Sequence, residues 1–122
     1  MTEAQIAALV RTFYERVRLD PELGALFESA VHDWPAHLGT LTDFWSSVML
    51  TSGRYKGSPM AAHLRHAGAI EPAMFDRWLT LWGDTARETL APADAAAVVA
   101  KAERIAESLK LALFFRLPRE AA

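Results

Sequence analysis

Residues 33–64 read DWPAHLGTLTDFWSSVMLTSGRYKGSPMAAHL, and this stretch decides the fold. Asp33 is an N-cap residue type, and Pro35 follows inside the first helical turn, where a missing N–H costs nothing. Apolar residues then recur at helical spacing: Trp34, Leu38, Leu41, Phe44, Trp45 and Val48. His37 lies on that face, one turn before Leu41. Thr51-Ser52-Gly53 predicts a stop after Leu50, with Gly53 as the left-handed terminator. Gly53-Arg54-Tyr55-Lys56-Gly57 is a basic loop, and Ser58-Pro59 opens a short second helix that carries His63 between Met60 and Leu64. The chain therefore folds back on itself and presents two histidines to one apolar space. Spacing alone leaves each of them either a hydrogen-bonded core residue or a ligand.

Working outward, the flanking segments are helical as well. Residues 3–18 carry a buried stripe of Ile6, Leu9, Val10, Phe13 and Val17, with Tyr14 at its edge. The Tyr14 ring suits burial, while its hydroxyl needs a partner. Asp20-Pro21 opens a second helix over 21–30, with Leu23, Leu26 and Phe27 inward. A helix from Glu71-Pro72 to about Leu90 turns Phe75, Trp78, Leu79, Trp82 and Ala86 inward. The last, from Ala91-Pro92 to about Arg116, carries a stripe of Val98, Ala102, Ile105, Ala106, Leu109, Ala112 and Leu113. Residues 117–122 are expected to fray. No run of β-branched residues alternates with polar ones, so the expected class is all-α.

With 122 residues and 52% hydrophobic composition, the chain has material for one domain with a sizeable core. The formal charge of −2 is spread along the chain. No basic block points to nucleic acid, and no basic amphipathic end or long apolar run points to a membrane. Glu3 stands where a signal peptide carries positive charge, so a soluble cytoplasmic protein is the expectation. There is no cysteine, which excludes thiolate chemistry and leaves nitrogen and oxygen as metal ligands. Four Trp, six Phe and two Tyr are plentiful for so small a chain. They suit a packed core and equally a flat apolar cofactor.

The ordered set of Tyr14 in FYERVR, DWPAH at 33–37, LTDFW at 41–45, RYKG at 54–57, PMAAHL at 59–64 and FDRWL at 75–79 resembles the truncated haemoglobins, most closely their third group. The resemblance runs from about Ile6 to Phe115. It implies a two-over-two helical sandwich around a haem pocket, a single globin-like domain over 1–122, and haem b as cofactor. His63, which follows the Pro-x-x-x-His spacing of the family, then becomes the iron ligand. His66, three residues on, is its rival, in a connection slightly longer than the family's. Phe13, Leu41, Phe44 and Met60 would form an apolar haem pocket. Arg54, Tyr55 and Lys56 would meet the haem propionates by charge-assisted bonds. Tyr14, His37 and Trp78 would stand on the ligand side as hydrogen-bonding groups, with His37 either a donor or a gate, and Trp82 is assigned to the core.

The implied partners are small diatomic ligands (O2, CO, NO, cyanide), with a reductase as a further partner and a monomer as the expected state. Peroxidase-like or NO-dioxygenase-like chemistry is the possible enzymatic role of so polar a distal side. Two other classes compete. One is a non-haem metal protein using His32, His37, His63 and His66 with Asp33; the other is a cofactor-free helical interaction module. No HExxH or similar ligand pair supports the first.

Overall fold

The computed structural model describes residues 1–114. The elements are α1 (Glu3–Leu19), α2 (Gly24–Ala30), α3 (Trp34–Leu50), α4 (Pro59–Leu64), α5 (Pro72–Thr89) and α6 (Pro92–Phe114), with no strand among the described residues. The expected end of the last helix near Arg116 and the fraying of 117–122 lie outside the described residues.

Local chemistry sets most of these bounds. Thr2 and Gln5 exchange side-chain and backbone hydrogen bonds of 3.1 and 2.8 Å, a capping box that starts α1. Asp33 Oδ1 accepts from Ala36 N at 3.1 Å, and Ser58 Oγ accepts from Ala61 N at 3.2 Å, each followed by a first-turn proline. Two expectations are corrected. The second helix begins at Gly24 rather than Pro21, because the Asp20 carboxylate accepts from Glu22 N and Leu23 N, both at 3.0 Å, and holds 21–23 as a turn. A Cβ at Gly24 would also lie 2.9 Å from the Arg18 carbonyl oxygen, so only glycine lets α2 start this close to α1. The left-handed cap of α3 falls on Thr51 (φ 53°), not on Gly53 alone (φ 71°).

Two helix pairs make the sandwich, α1 with α3 laid over α5 with α6. Only Leu90 and Ala91 join α5 to α6, so that pair runs antiparallel. The main core gathers Ile6, Leu9, Val10, Phe13 and Val17 of α1, Trp45 of α3, Trp82 and Ala86 of α5, and Ala95, Val98 and Ala102 of α6. At its centre Phe13 is met edge-on by Tyr14, Trp82 and Trp78, with ring centroids 4.7, 4.9 and 5.5 Å away. Trp82 stacks between Trp45 (4.4 Å) and Trp78 (5.6 Å). Its indole N–H donates to the Val98 carbonyl at 3.2 Å, so this fully buried ring leaves no polar atom unpaired. Full burial of one such large side chain contributes roughly 2–3 kcal/mol. A smaller cluster of Phe75, Ala106, Leu109 and Leu113 sits apart from this core. The cavity described next opens onto it.

Polar ties lock the pairs. Arg77 binds the buried Asp20 carboxylate through Nη2 at 2.6 Å and Nε at 2.8 Å, joining α5 to the end of α1. Arg16 reaches Thr85 and Glu88 on α5.

Candidate functional site

Between α1, α2, α3, α4, α5 and α6 lies a cavity of about 640 Å³. Much of its wall is apolar, with Leu41 and Phe44 from α3, Phe27 from α2, Phe75 from α5 and Leu109 from α6. Tyr14, His37, Trp78 and His63 also line it, as do Arg54, Tyr55, Lys56 and His66. A few polar groups on a mostly apolar concave wall is the ordinary character of a cofactor site.

His63 is the best-held of the histidines. It is half-buried on α4, and its Nδ1 lies 2.7 Å from the Pro59 carbonyl oxygen. A carbonyl only accepts, so Nδ1 carries the proton and Nε2 keeps its lone pair. This arrangement orients an imidazole for metal ligation. The Pro59-x-x-x-His63 spacing is what makes it possible: residue 63 stands one turn after a carbonyl in the first turn of its helix. His66 lines the same cavity but is exposed, and no ring hydrogen bond fixes it among the described residues. Only its backbone is engaged: its N–H donates to the His63 carbonyl at 3.0 Å and its carbonyl accepts from Ala69 N at 2.9 Å.

Tyr14, His37 and Trp78 arrive from three different helices. Tyr14 is 4% exposed, and its ring stands 6.0 Å edge-on from His37 and 5.6 Å from Phe27. Burial pushes the Tyr14 phenol far above its ordinary range, partly offset by the Trp78 side chain beside it. The phenol therefore stays protonated and acts as a donor. Burial lowers the His37 pKa, so its imidazole is neutral at pH 7. His37 Nε2 is buried without a partner. An orphaned nitrogen beside an apolar cavity is a group waiting for a ligand atom. Trp34 Nε1 is also buried and unpaired, with the ring packed 5.6 Å from His37 and capped by the Arg18 guanidinium at 4.5 Å. Its place in the apolar stripe gave no sign that Trp34 would carry an unpaired polar atom.

The basic loop is tied down on both sides. Ser47 Oγ accepts from Tyr55 N at 2.9 Å, and the Tyr55 ring packs 5.2 Å from Phe44. A Cβ at Gly57 would meet the Tyr55 hydroxyl at 2.7 Å, so Gly57 makes room for that ring. Arg54 is paired with Glu3 of α1 at 3.2 Å, and Glu3 also accepts from the fully buried Ser46 at 2.6 Å. Of the loop cations, Lys56 is the one with no ion pair among the described residues.

Two expected wall residues are elsewhere. Phe13 is fully buried in the core, behind Tyr14 and Trp78, so it supports the wall without forming it. Met60 points into a separate groove between α3, α4 and α6. Both placements have one cause: a helical stripe is wider than one cavity. Conversely Phe27 and Phe75, to which the helical stripes gave only an inward place, line the cavity, and so does Met74, which lies outside those stripes.

Among the described residues no three of His, Asp and Glu come close enough to hold a metal ion. The non-haem site of His32, His37, His63 and His66 with Asp33 is thus not assembled. No helix of the described residues is long and apolar enough to cross a membrane.

No protein-family model matches the chain. It is 32% identical over 89 residues to a group 3 truncated hemoglobin of Campylobacter jejuni, an alignment covering 70% of this chain and 69% of that protein. The crystal structure of a group III truncated hemoglobin from Campylobacter jejuni matches with a TM-score of 0.86 at 26% identity, covering 98% of this chain and 96% of that one.

Proposed function

Because this chain belongs to the group III truncated haemoglobins, we propose that it holds haem in the 640 Å³ cavity and binds small diatomic ligands there. The observation that carries this reading is the His63 Nδ1–Pro59 hydrogen bond, which leaves Nε2 as the nitrogen that would hold the iron. With no cysteine to form a thioether, the haem would be held without covalent attachment, as haem b is. When bound, haem supplies an iron with one open coordination position for O2, CO, NO or cyanide.

The side chains then divide the work. His63 would grip the iron. Leu41, Phe44 and Phe27 would keep water from the porphyrin faces. Lys56 and Tyr55 line the cavity and would meet propionates, whereas Arg54 would do so only by leaving Glu3. Tyr14 and Trp78 are donors that keep their protons, so they hold a ligand without passing it one. Each such hydrogen bond contributes about 1 kcal/mol net, about fivefold in the ligand's dissociation rate.

A second reading, reduction of peroxide or oxidation of NO, is favoured by one feature. His37 Nε2 is a buried imidazole nitrogen with no partner, and in its Nδ1–H tautomer it would take up and return a proton. Such chemistry would draw on His37 and on an external reductant.

The test is spectroscopic. Protein purified with haem is expected to show a Soret band and a ferrous–CO spectrum of an imidazole-ligated haem. Tyr14→Phe should speed ligand dissociation about fivefold or more. A protein that takes up no haem, or a Tyr14→Phe rate equal to the parent's, would contradict the corresponding part.

A further inference from the structure

We propose that the groove between α3, α4 and α6 is a binding site for the carboxylate of a single-chain fatty acid. The groove has a volume of about 420 Å³ and lies beside the larger cavity, sharing Phe44, Pro59, Ile105 and Leu109 with it. Its floor is apolar. Phe44 and Val48 come from successive turns of α3, Met60 from α4, and Ile105 and Leu109 from successive turns of α6. Met60, half-buried, is thereby turned away from the haem cavity toward an apolar surface that nothing in the described chain covers.

The rim is cationic for a reason visible in the sequence. Lys101, Arg104 and Ser108 stand at i, i+3 and i+7 on the same face of α6 as Ile105 and Leu109. No acid stands three or four residues from Lys101 on either side. Glu107, the acid three residues after Arg104, is paired with Lys110 instead. Two like charges one turn apart above an apolar floor repel each other, and no carboxylate among the described residues neutralises them. A ligand that fits has one anionic oxygen-bearing head for Lys101, Arg104 and the Ser108 hydroxyl, with a hydrocarbon tail for Val48, Met60 and Ile105. Charge-assisted bonds give the head its share of affinity, and each buried methylene adds to the tail's. The site does not depend on haem, but occupancy would press on Phe44 and Pro59, the latter being the residue whose carbonyl holds His63.

The experiment is calorimetric titration of the haem-loaded protein with decanoate, decanol and octanoate below their micelle concentrations. Decanoate should saturate at one molecule per chain with the haem retained. Decanol, which keeps the tail and loses the charge, should bind about tenfold more weakly, and octanoate likewise about tenfold more weakly. The exposed pair Lys101→Gln and Arg104→Gln, made together, should weaken decanoate and leave decanol unchanged. Val48→Trp, which fills the floor, should weaken both. Equal affinity for decanoate and decanol, unchanged decanoate binding in the double variant, release of haem by decanoate, or no saturable binding would each overturn the proposal.

Discussion

The flank built by α1, α5 and the first half of α6 and the flank built by α3, α4 and the 51–58 loop are both written in apolar residues at helical spacing, yet they are packed differently. On the first, Ile6, Leu9, Val10, Phe13, Val17, Trp82 and Val98 are all essentially fully buried against one another. On the second, only Trp45 and Ser46 of α3 are buried, and no residue of α4 is. Leu41, Phe44 and His63 are half-buried because they border an open space and not a neighbouring helix. An apolar stripe states that a surface is kept from water; it does not state whether protein or cofactor keeps it so.

This contrast can be broken by substitution. The largest loss is expected at Trp82→Ala, which removes a fully buried ring and its bond to Val98: about 3–5 kcal/mol, read by urea unfolding with or without haem. Asp20→Asn should cost about 2 kcal/mol, less than a fully enclosed pair because Arg77 is partly exposed. Leu41→Ala should cost only about 1 kcal/mol in the haem-free protein, since it faces space already empty, and distinctly more in the haem-loaded one. A cost as large as that of Trp82→Ala without haem would erase the distinction between the flanks. Thr51→Gly should stabilise by roughly 0.5–1 kcal/mol, because a β-branched residue at φ 53° is strained where glycine is not.

Acid should act on the two flanks in separate windows. Burial disfavours the charged form of Asp20, but Arg77 and the N–H groups of Leu23 and Glu22 outweigh it, and the folded pKa is depressed. The stability Asp20 contributes is therefore present above its unfolded pKa of about 3.9 and lost as pH falls further. His37 is also depressed, by burial, so the unfolded chain binds its proton first and stability begins to fall below about pH 6.5. Unfolding free energy followed against pH should thus show a shallow upper step removed by His37→Phe and a lower one removed by Asp20→Asn.

Much of the architecture was legible in residues 33–64 and the stripes around them. Caps and prolines set the starts of α3, α4, α5 and α6, and the histidine pair announced an apolar space. What escaped the sequence was rotational detail. Whether Phe13 or Phe75 faces the cavity depends on how the helices are rolled about their axes, and the repeat of 3.6 residues leaves a stripe too broad to decide it. Arg54 was read as free for an anion, but its partner Glu3 is fifty-one residues away, a pairing no local pattern reveals. The turn at 21–23 depended on Asp20 spending its carboxylate on two backbone N–H groups and Arg77 together.

The most direct test of the central claim is the absorption spectrum of His63→Ala beside that of His66→Ala, each purified with haem supplied and then exposed to imidazole. The account predicts that His66→Ala keeps the parent spectrum, while His63→Ala loses its axial nitrogen band pattern and recovers it on adding imidazole. An unaltered spectrum and full haem retention in His63→Ala would contradict it.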